Sequence, residues 1–190
     1  MKLLVIDTSY TFQAIKEKKL HEAIYSRDLN GYFETVWSVH PFASIIPNSD
    51  QKKNFGKFEI FKISNNHFFV EGKIGRYFAI RKLRIINFLF SQIEIFFFLK
   101  KLIRDEKIDY IKAHDPHYNS IIAYLLSKIT QKPFLVRVSG NFDKIYNDTQ
   151  RPILKRFFIF RSIEKFFERF IFKKADFVIA PNYDNLEYAF

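Results

Sequence analysis

Short apolar runs alternate with longer segments of helical periodicity along the chain, and this order is typical of a parallel α/β sheet. The apolar runs predict strands at 2–7, 33–39, 57–63, 108–113, 134–138 and 176–181. The helical segments are 15–29, 82–107, 119–130 and 153–174. Loops are predicted at 42–55 and 142–151, and an irregular segment is predicted around Gly72 and Gly75. The pattern as a whole predicts a Rossmann-like parallel sheet flanked by helices on both faces.

The two longest helical segments each carry one apolar face. In 82–107 that face comprises Leu89, Ile93, Phe96 and Phe97. In 153–174 it comprises Ile159, Ile163, Phe166, Phe167 and Phe170, and we expect it to lie in the core.

The opposite side of the 153–174 segment mixes aromatic and basic residues. Its members are Phe157, Phe158, Arg161, Lys165 and Arg169. Such a face suits a membrane interface or the surface of another protein. Burial between the sheet and a loop remains an alternative.

Composition narrows the class of protein. The 190 residues are 48% hydrophobic and 19% aromatic, which suits one folded domain and excludes a disordered tail. Cysteine is absent, so disulfides, thiolate zinc sites and thiol nucleophiles are excluded. The first apolar run is too short for a signal peptide, and the longest one, 85–99, contains Asn87, Gln92 and Glu94, so no transmembrane helix is expected.

The net charge of +11 favours an anionic partner, which is nucleic acid, an acidic membrane surface or a phosphorylated ligand. A basic surface without such a partner is the alternative. No RNP-like, zinc-finger or helix-turn-helix signature is present, and the basic residues lie on helices beside Phe and Ile, so nucleic acid is not favoured.

Candidate chemistry is concentrated in the βαβ unit at 108–142. Its first strand ends in His114 and Asp115, and its second ends in Ser139, Gly140 and Asn141. Open parallel sheets bind ligands beyond the carboxyl ends of their strands, so we expect these residues to lie side by side at one edge. Gly140 is expected to allow backbone conformations that are closed to other residues. A core histidine and an ordinary glycine-containing loop are the alternatives.

Two further patterns have weaker chemical implications. His114 and His117 have the spacing of a metal pair, but no third ligand is evident nearby and Pro116 interrupts the helix that would align them, so no metal is predicted. The loop after the first strand offers the hydroxyls of Thr8, Ser9 and Thr11 to a phosphate. An ordinary strand–helix turn is the alternative for that loop.

Several segments, in order, resemble the amino-terminal half of the retaining glycosyltransferases of the GT-B class, family 4. They are MKLLVID at 1–7, the whole βαβ stretch at 108–142, which begins with IDYIKAHDP and ends its second strand in a Ser-Gly turn, KADFVIAP at 174–181 and NLEYAF at 185–190. The resemblance implies a Rossmann-like glycosyltransferase domain at 1–181 and the start of an interdomain helix at 182–190. It also implies that the carboxyl-terminal donor domain, with its paired glutamates, is absent.

The resemblance implies transfer of a sugar from a nucleotide-sugar to a glycan or lipid-linked acceptor, without a cofactor or a required divalent ion. His114, Asp115, Ser139, Gly140 and Asn141 would bind the acceptor. The family usually has a Gly-Gly pair in the donor-phosphate loop at Thr8, Ser9 and Thr11, and often a histidine near Ser139, and this chain has neither. No catalytic residue is therefore assigned.

Without a donor half, the chain is expected to be inactive alone, so whether it is an enzyme by itself stays open. A second subunit is one possible source of the donor domain. The alternative function is a non-catalytic basic module that binds an anionic membrane or polymer. The expected location is the cytoplasm, with peripheral attachment to the inner face of a membrane as a further option.

Overall fold

The computed structural model describes residues 1–43, 48–152 and 160–189. The strands are β1 (Lys2–Ile6), β2 (Thr35–His40), β3 (Glu59–Lys62), β4 (His67–Glu71), β5 (Tyr110–His114), β6 (Phe134–Arg137) and β7 (Phe177–Ile179). The α-helices are α1 (Phe12–Glu17), α2 (His21–Tyr25), α3 (Arg84–Asp105), α4 (Tyr118–Thr130), α5 (Phe142–Thr149), α6 (Arg161–Lys174) and α7 (Tyr183–Ala189). Short 3-10 turns lie at Ser26–Asp28, Asn48–Asn54 and Phe78–Ile80.

The chain divides into two units, Met1–Asp109 and Tyr110–Phe190. In the first unit the strand order is β3-β4-β2-β1, and only the β3–β4 pair is antiparallel. In the second unit the order is β5-β6-β7, and both pairs are parallel. The predicted α/β class with a mostly parallel, Rossmann-like sheet is therefore confirmed.

Strand burial explains why the apolar runs are continuous rather than alternating. Leu3, Leu4, Val5 and Ile6 are consecutive and all are buried, as are the last five residues of β2. Consecutive burial requires cover on both faces of the sheet, which is the arrangement typical of parallel strands. In the second unit, the buried Ile111, Ala113 and Val136 belong to β5 and β6.

Two expected elements differ from the structure, one strand was not predicted, and one helix is described only in part. The strand that was not predicted is β4, His67–Glu71, which pairs antiparallel with β3 across the Asn65-Asn66 turn. The helix expected at 15–29 is split into α1 and α2, where Lys19 adopts a left-handed φ of 53°. The loop expected at 142–151 contains α5 because the Asn141 side chain caps its first turn. The helix expected at 153–174 is described only from Arg161 onward.

Two helices also present different faces from those that their periodicity suggested. On α6, the side chains of Ile163, Phe166 and Phe170 were expected in the core, but they are 45%, 66% and 36% exposed. The residues that α6 buries are instead Glu164, Glu168 and Ile171. Ile159 lies outside the described residues. On α3, Leu89, Ile93 and Phe97 are likewise exposed. The inward side of α3 carries Asn87, Ser91 and Gln92, followed by Ile95, Leu99, Leu102 and Ile103.

Candidate functional site

The two strand-end turns of the second unit meet at one edge of the sheet, as the sequence predicted. His114 at the end of β5 is in register with Arg137 at the end of β6, and the strands are parallel. Asp115 follows in a left-handed conformation with φ of 64°. Its Oδ1 accepts hydrogen bonds from the backbone N–H and the hydroxyl of Ser139, at 2.8 and 2.6 Å. The Asp115 carboxylate therefore ties the two turns together.

Side chains at the start of α4 hydrogen-bond to the turn at His114 and Asp115. The Ser120 hydroxyl donates to the carbonyl oxygen of Asp115 at 2.6 Å. The Asn119 amide donates to the carbonyl oxygen of His114 at 3.3 Å. Both side chains are buried, so these bonds are shielded from water. The backbone at His114 and Asp115 is thus fixed before any ligand arrives.

The second turn is built differently from the expectation. Asn141 is the N-cap of α5, and its Oδ1 accepts from the Lys144 N–H at 3.1 Å. Gly140 is not among the glycines with positive φ, and an added Cβ would meet only the Ile145 Cδ1 at 3.4 Å. The conformational freedom expected of Gly140 is therefore not required by this turn. Asn141 supports the site through its cap on α5.

Behind these turns lies a buried charge network that the sequence analysis missed. Arg161 donates to Glu164 at 2.7 Å, to both carboxylate oxygens of Glu168 at 2.5 and 2.8 Å, and to Asp143 at 2.9 Å. Lys165 also donates to Asp143, at 2.8 Å. Burial raises the pKa of Asp143, but the hydrogen bonds from Lys165 and Arg161 outweigh this effect and hold the pKa below its usual value. We call Asp143, Arg161, Glu164, Lys165 and Glu168 the α6 ion network.

His117 adjoins this network. Its Nδ1 lies 3.9 Å from the Glu168 Oε1, and the ring packs on Phe142 with centroids 4.6 Å apart. Burial lowers the pKa of His117, against the opposing effect of Asp115 and Glu164. The imidazole is accordingly neutral near neutral pH.

His117, Glu164 and Glu168 are close enough to be considered as a metal-binding group. Their potential ligand atoms all lie within 4.8 Å of one another, and all three residues are buried. No third ligand was evident near His117 in the sequence, and tertiary folding brings the two carboxylates of α6 to it. Both carboxylates, however, already bind the Arg161 guanidinium, which occupies the place of a cation. His114 is not part of this group.

The α6 ion network had a signal in the sequence. Arg161, Glu164 and Glu168 are spaced i, i+3 and i+7, so they share one side of a helix. The spacing alone does not reveal that this charged side faces inward. Asp143 lies in the segment expected to be a loop.

A cavity of about 250 Å³ borders the α6 ion network, close to α7. Its walls include Lys165, Glu168 and Arg169 together with the rings of Phe172 and Tyr188. Burial, followed by the nearby Glu168 carboxylate, raises the pKa of Tyr188, so its hydroxyl stays protonated. The walls carry both charge signs, so charge alone does not select a class of ligand for this cavity.

The loop proposed to bind phosphate, in the first unit, uses its hydroxyls for local structure. The Ser9 hydroxyl and N–H donate to the Asp7 Oδ1 at 2.6 and 2.8 Å. The Thr11 hydroxyl caps α1 by accepting from the Ala14 N–H. A Glu71 carboxylate oxygen accepts from the Phe12 N–H at 2.6 Å, so an internal anion already lies at the start of α1. Burial raises the pKa of Glu71.

The remaining predicted residues belong to the aromatic and basic face of 153–174. Phe157 and Phe158 lie outside the described residues. Arg161 does not belong to an exposed basic face, because its side chain is 9% exposed and binds three carboxylates. Lys165 is half-buried and pairs with Asp143, and Arg169 is exposed. Arg161 must therefore be removed from the proposed membrane or partner face.

Comparison with known proteins gives little beyond this geometry. No family model matches the chain, and no curated protein matches it. A solved structure of a candidate UDP-N-acetylglucosamine 2-epimerase from Listeria monocytogenes is similar, with 18% sequence identity and a TM-score of 0.48. The match covers 99% of this chain and 41% of that protein, so this chain spans about two fifths of its length. At this level the similarity carries no argument about function, and the fold class rests on the strand pairing.

Proposed function

We propose that the chain provides the acceptor-binding site of a sugar-transferring enzyme of the GT-B type. The observation that supports this proposal is the joining of two strand-end turns through Asp115 and Ser139. Parallel α/β sheets bind their ligands at this edge, beyond the carboxyl ends of the strands. The segments that resemble family 4 glycosyltransferases include both strands of this βαβ unit.

The groups at the edge suit a ligand rich in hydroxyls. One oxygen of Asp115 is held by Ser139, and among the described residues no donor reaches the other. That second oxygen can accept a hydrogen bond from a sugar hydroxyl. A hydrogen bond to a charged carboxylate oxygen is stronger than one to a neutral oxygen. His114, which is half-buried and precedes Asp115 at the end of β5, is the second proposed contact.

The proposal does not assign the nucleotide-sugar to the loop that follows β1 in the first unit. The hydroxyls of Ser9 and Thr11 are used within their own loop, and the Glu71 carboxylate at the start of α1 disfavours a phosphate there. We therefore infer that another region or a second subunit binds the donor diphosphate. In that arrangement Asp115 would position the acceptor while charge stabilisation at the leaving phosphate comes from the donor side.

Saturation-transfer NMR with a panel of mono- and oligosaccharides tests acceptor binding by the chain. At least one saccharide should receive saturation from the protein. Asp115→Asn should weaken its binding about tenfold, because the neutral amide retains the turn but loses the charge-assisted hydrogen bond. Asn also tolerates the left-handed conformation of this position.

The matched control is Asp148→Asn, which removes the same charge from the exposed end of α5 and should not change binding. Equal weakening by both substitutions would contradict a specific role for Asp115.

A further inference from the structure

Helix α3 buries polar side chains along its first half and apolar ones along its second half, while further apolar side chains point outward. The buried residues are Asn87, Ser91 and Gln92, followed by Ile95, Leu99, Leu102 and Ile103. On its inner side, the Asn87 Oδ1 accepts from the N–H groups of Arg76 and Tyr77 at 2.6 and 2.8 Å, and its Nδ2 donates to the Tyr77 carbonyl at 2.7 Å. Ser91 donates to the Lys73 carbonyl at 2.6 Å. Gln92 donates to the Pro41 carbonyl at 3.1 Å. These bonds fix the rotation of the helix about its axis.

The outer side of α3 is therefore a continuous apolar surface. It consists of Ile85, Ile86, Leu89, Phe90, Ile93 and Phe97, which are between 46% and 76% exposed. Their spacing places them along one side of the helix through four turns. We call these six residues the α3 apolar face. A contiguous exposed face of this kind marks an interaction site, unlike isolated exposed apolar residues.

Basic residues flank both ends of the α3 apolar face. Arg81, Lys82 and Arg84 precede it, and all three are exposed. Lys100, Lys101 and Arg104 follow it, and the spacing of Lys100 and Arg104 continues the same side of the helix. The acidic residue at its rim, Glu94, is neutralised by Arg76 at 2.7 Å. The surroundings of the face thus carry an excess of positive charge, in keeping with the net charge of +11.

We propose that the α3 apolar face docks onto the surface of an anionic lipid bilayer. The apolar side chains would lie among the upper acyl chains, and the flanking Lys and Arg would contact headgroup phosphates. Charge complementarity favours this partner, because cations at both ends of the helix match a surface of uniform negative charge. Among the described residues, none of the helices has the length and hydropathy of a membrane-spanning segment.

Vesicle sedimentation tests the proposal with the full 190-residue chain. The protein should bind phosphatidylglycerol–phosphatidylcholine vesicles better than pure phosphatidylcholine vesicles, and added salt should weaken binding. The triple variant Leu89→Gln, Ile93→Gln and Phe97→Gln should reduce binding about tenfold or more, because it removes apolar surface from the insertion face. Lys100→Glu with Lys101→Glu should abolish the preference for anionic vesicles.

A matched control distinguishes binding through the α3 apolar face from nonspecific binding through any exposed apolar side chain. Leu125→Gln with Ile129→Gln changes two side chains of α4 that are 45% and 50% exposed, and it should leave binding unchanged. Absence of vesicle binding by the wild type, or equal binding by the triple variant, would overturn the proposal. A dimer of the wild type that the triple variant abolishes, seen by light scattering, would assign the face to a second copy and also overturn it. Saccharide binding through Asp115 is measured without vesicles, so the two proposals fail independently.

Discussion

Helices α3 and α6 both bury polar side chains and expose apolar ones, but the polar groups differ in kind. The interior side of α3 carries the neutral Asn87, Ser91 and Gln92, which bond mainly to backbone groups. The interior side of α6 carries the ionised Arg161, Glu164 and Glu168, which bond mainly to one another. The buried polar groups are thus satisfied by neutral hydrogen bonds in α3 and by ion pairs in α6.

Because of this difference, substitutions of the buried polar residues should have different costs in the two helices. A neutral hydrogen bond contributes modestly to stability, and its loss leaves a buried donor or acceptor without a partner. A buried ion pair contributes little net stability when intact, yet removing one member leaves a charge in a poorly solvated place. We expect substitutions in α6 to be more damaging than equivalent ones in α3.

The largest effect should come from Arg161→Met, which leaves the buried Glu164 and Glu168 carboxylates without their guanidinium. We expect a loss of about 3–5 kcal/mol in the free energy of unfolding, measured by urea denaturation. Arg169→Met on the exposed side of the same helix is the control and should cost less than about 0.5 kcal/mol. Similar costs for the two variants would break the comparison between α3 and α6.

Asn87→Ala should have the next largest effect. The substitution leaves the N–H groups of Arg76 and Tyr77 without their acceptor. We expect a loss of about 2–3 kcal/mol in unfolding free energy, smaller than for Arg161→Met because no charge is uncovered. Arg84→Ala, in the exposed first turn of α3, is the control. A cost for Asn87→Ala above that of Arg161→Met would reverse the expected ranking.

Acid should destabilise the protein through its buried histidines and not through α3. Burial lowers the pKa of His40 to about 4, against about 6.5 in an unfolded chain. The unfolded state therefore takes up the proton first as pH falls, so stability declines between about pH 6.5 and pH 4. At about pH 5 the decline from His40 alone should be about 2 kcal/mol, and His67 and His117 add to it with the same sign.

Unfolding curves at about pH 7 and pH 5 measure this decline. His40→Gln and His117→Gln should each reduce it, because the titrating group is gone. Asn87→Ala should leave the decline unchanged, because the buried groups of α3 do not titrate. A protein that gains stability on acidification would show that the sign is wrong.

The smallest effect concerns two glycines. Gly140→Ala should change the unfolding free energy by less than about 1 kcal/mol, since the position has no left-handed φ and a Cβ meets only Ile145. Gly75→Ala is the contrasting variant, because its Cβ would come within 2.9 Å of Asn87 and disturb the inner side of α3. We expect Gly75→Ala to be clearly more destabilising, and equal costs would argue against the tight fit around Asn87.

The parts of the fold that could be predicted are those that local sequence controls. Runs such as Leu3–Ile6 are apolar at every position, and such runs form strands that are buried on both faces. The βαβ unit followed from two such runs with a helical segment between them, and its strand-end turns do meet at Asp115 and Ser139. The α5 helix was missed because its start depends on the single side-chain cap of Asn141.

The sequence by itself determined where six of the seven described strands lie and that the sheet is mainly parallel, but not the strand at His67–Glu71. It also determined which residues share a side of α3 and α6, because helical spacing alone decides that. Only the tertiary structure decided which side faces inward. The backbone groups that bind Ser91 and Gln92, at Lys73 and Pro41, are 18 and 51 residues away along the chain. Because a hydrogen bond or ion pair satisfies a buried polar group only when its partner is in place, apolar periodicity could not reveal the inward side.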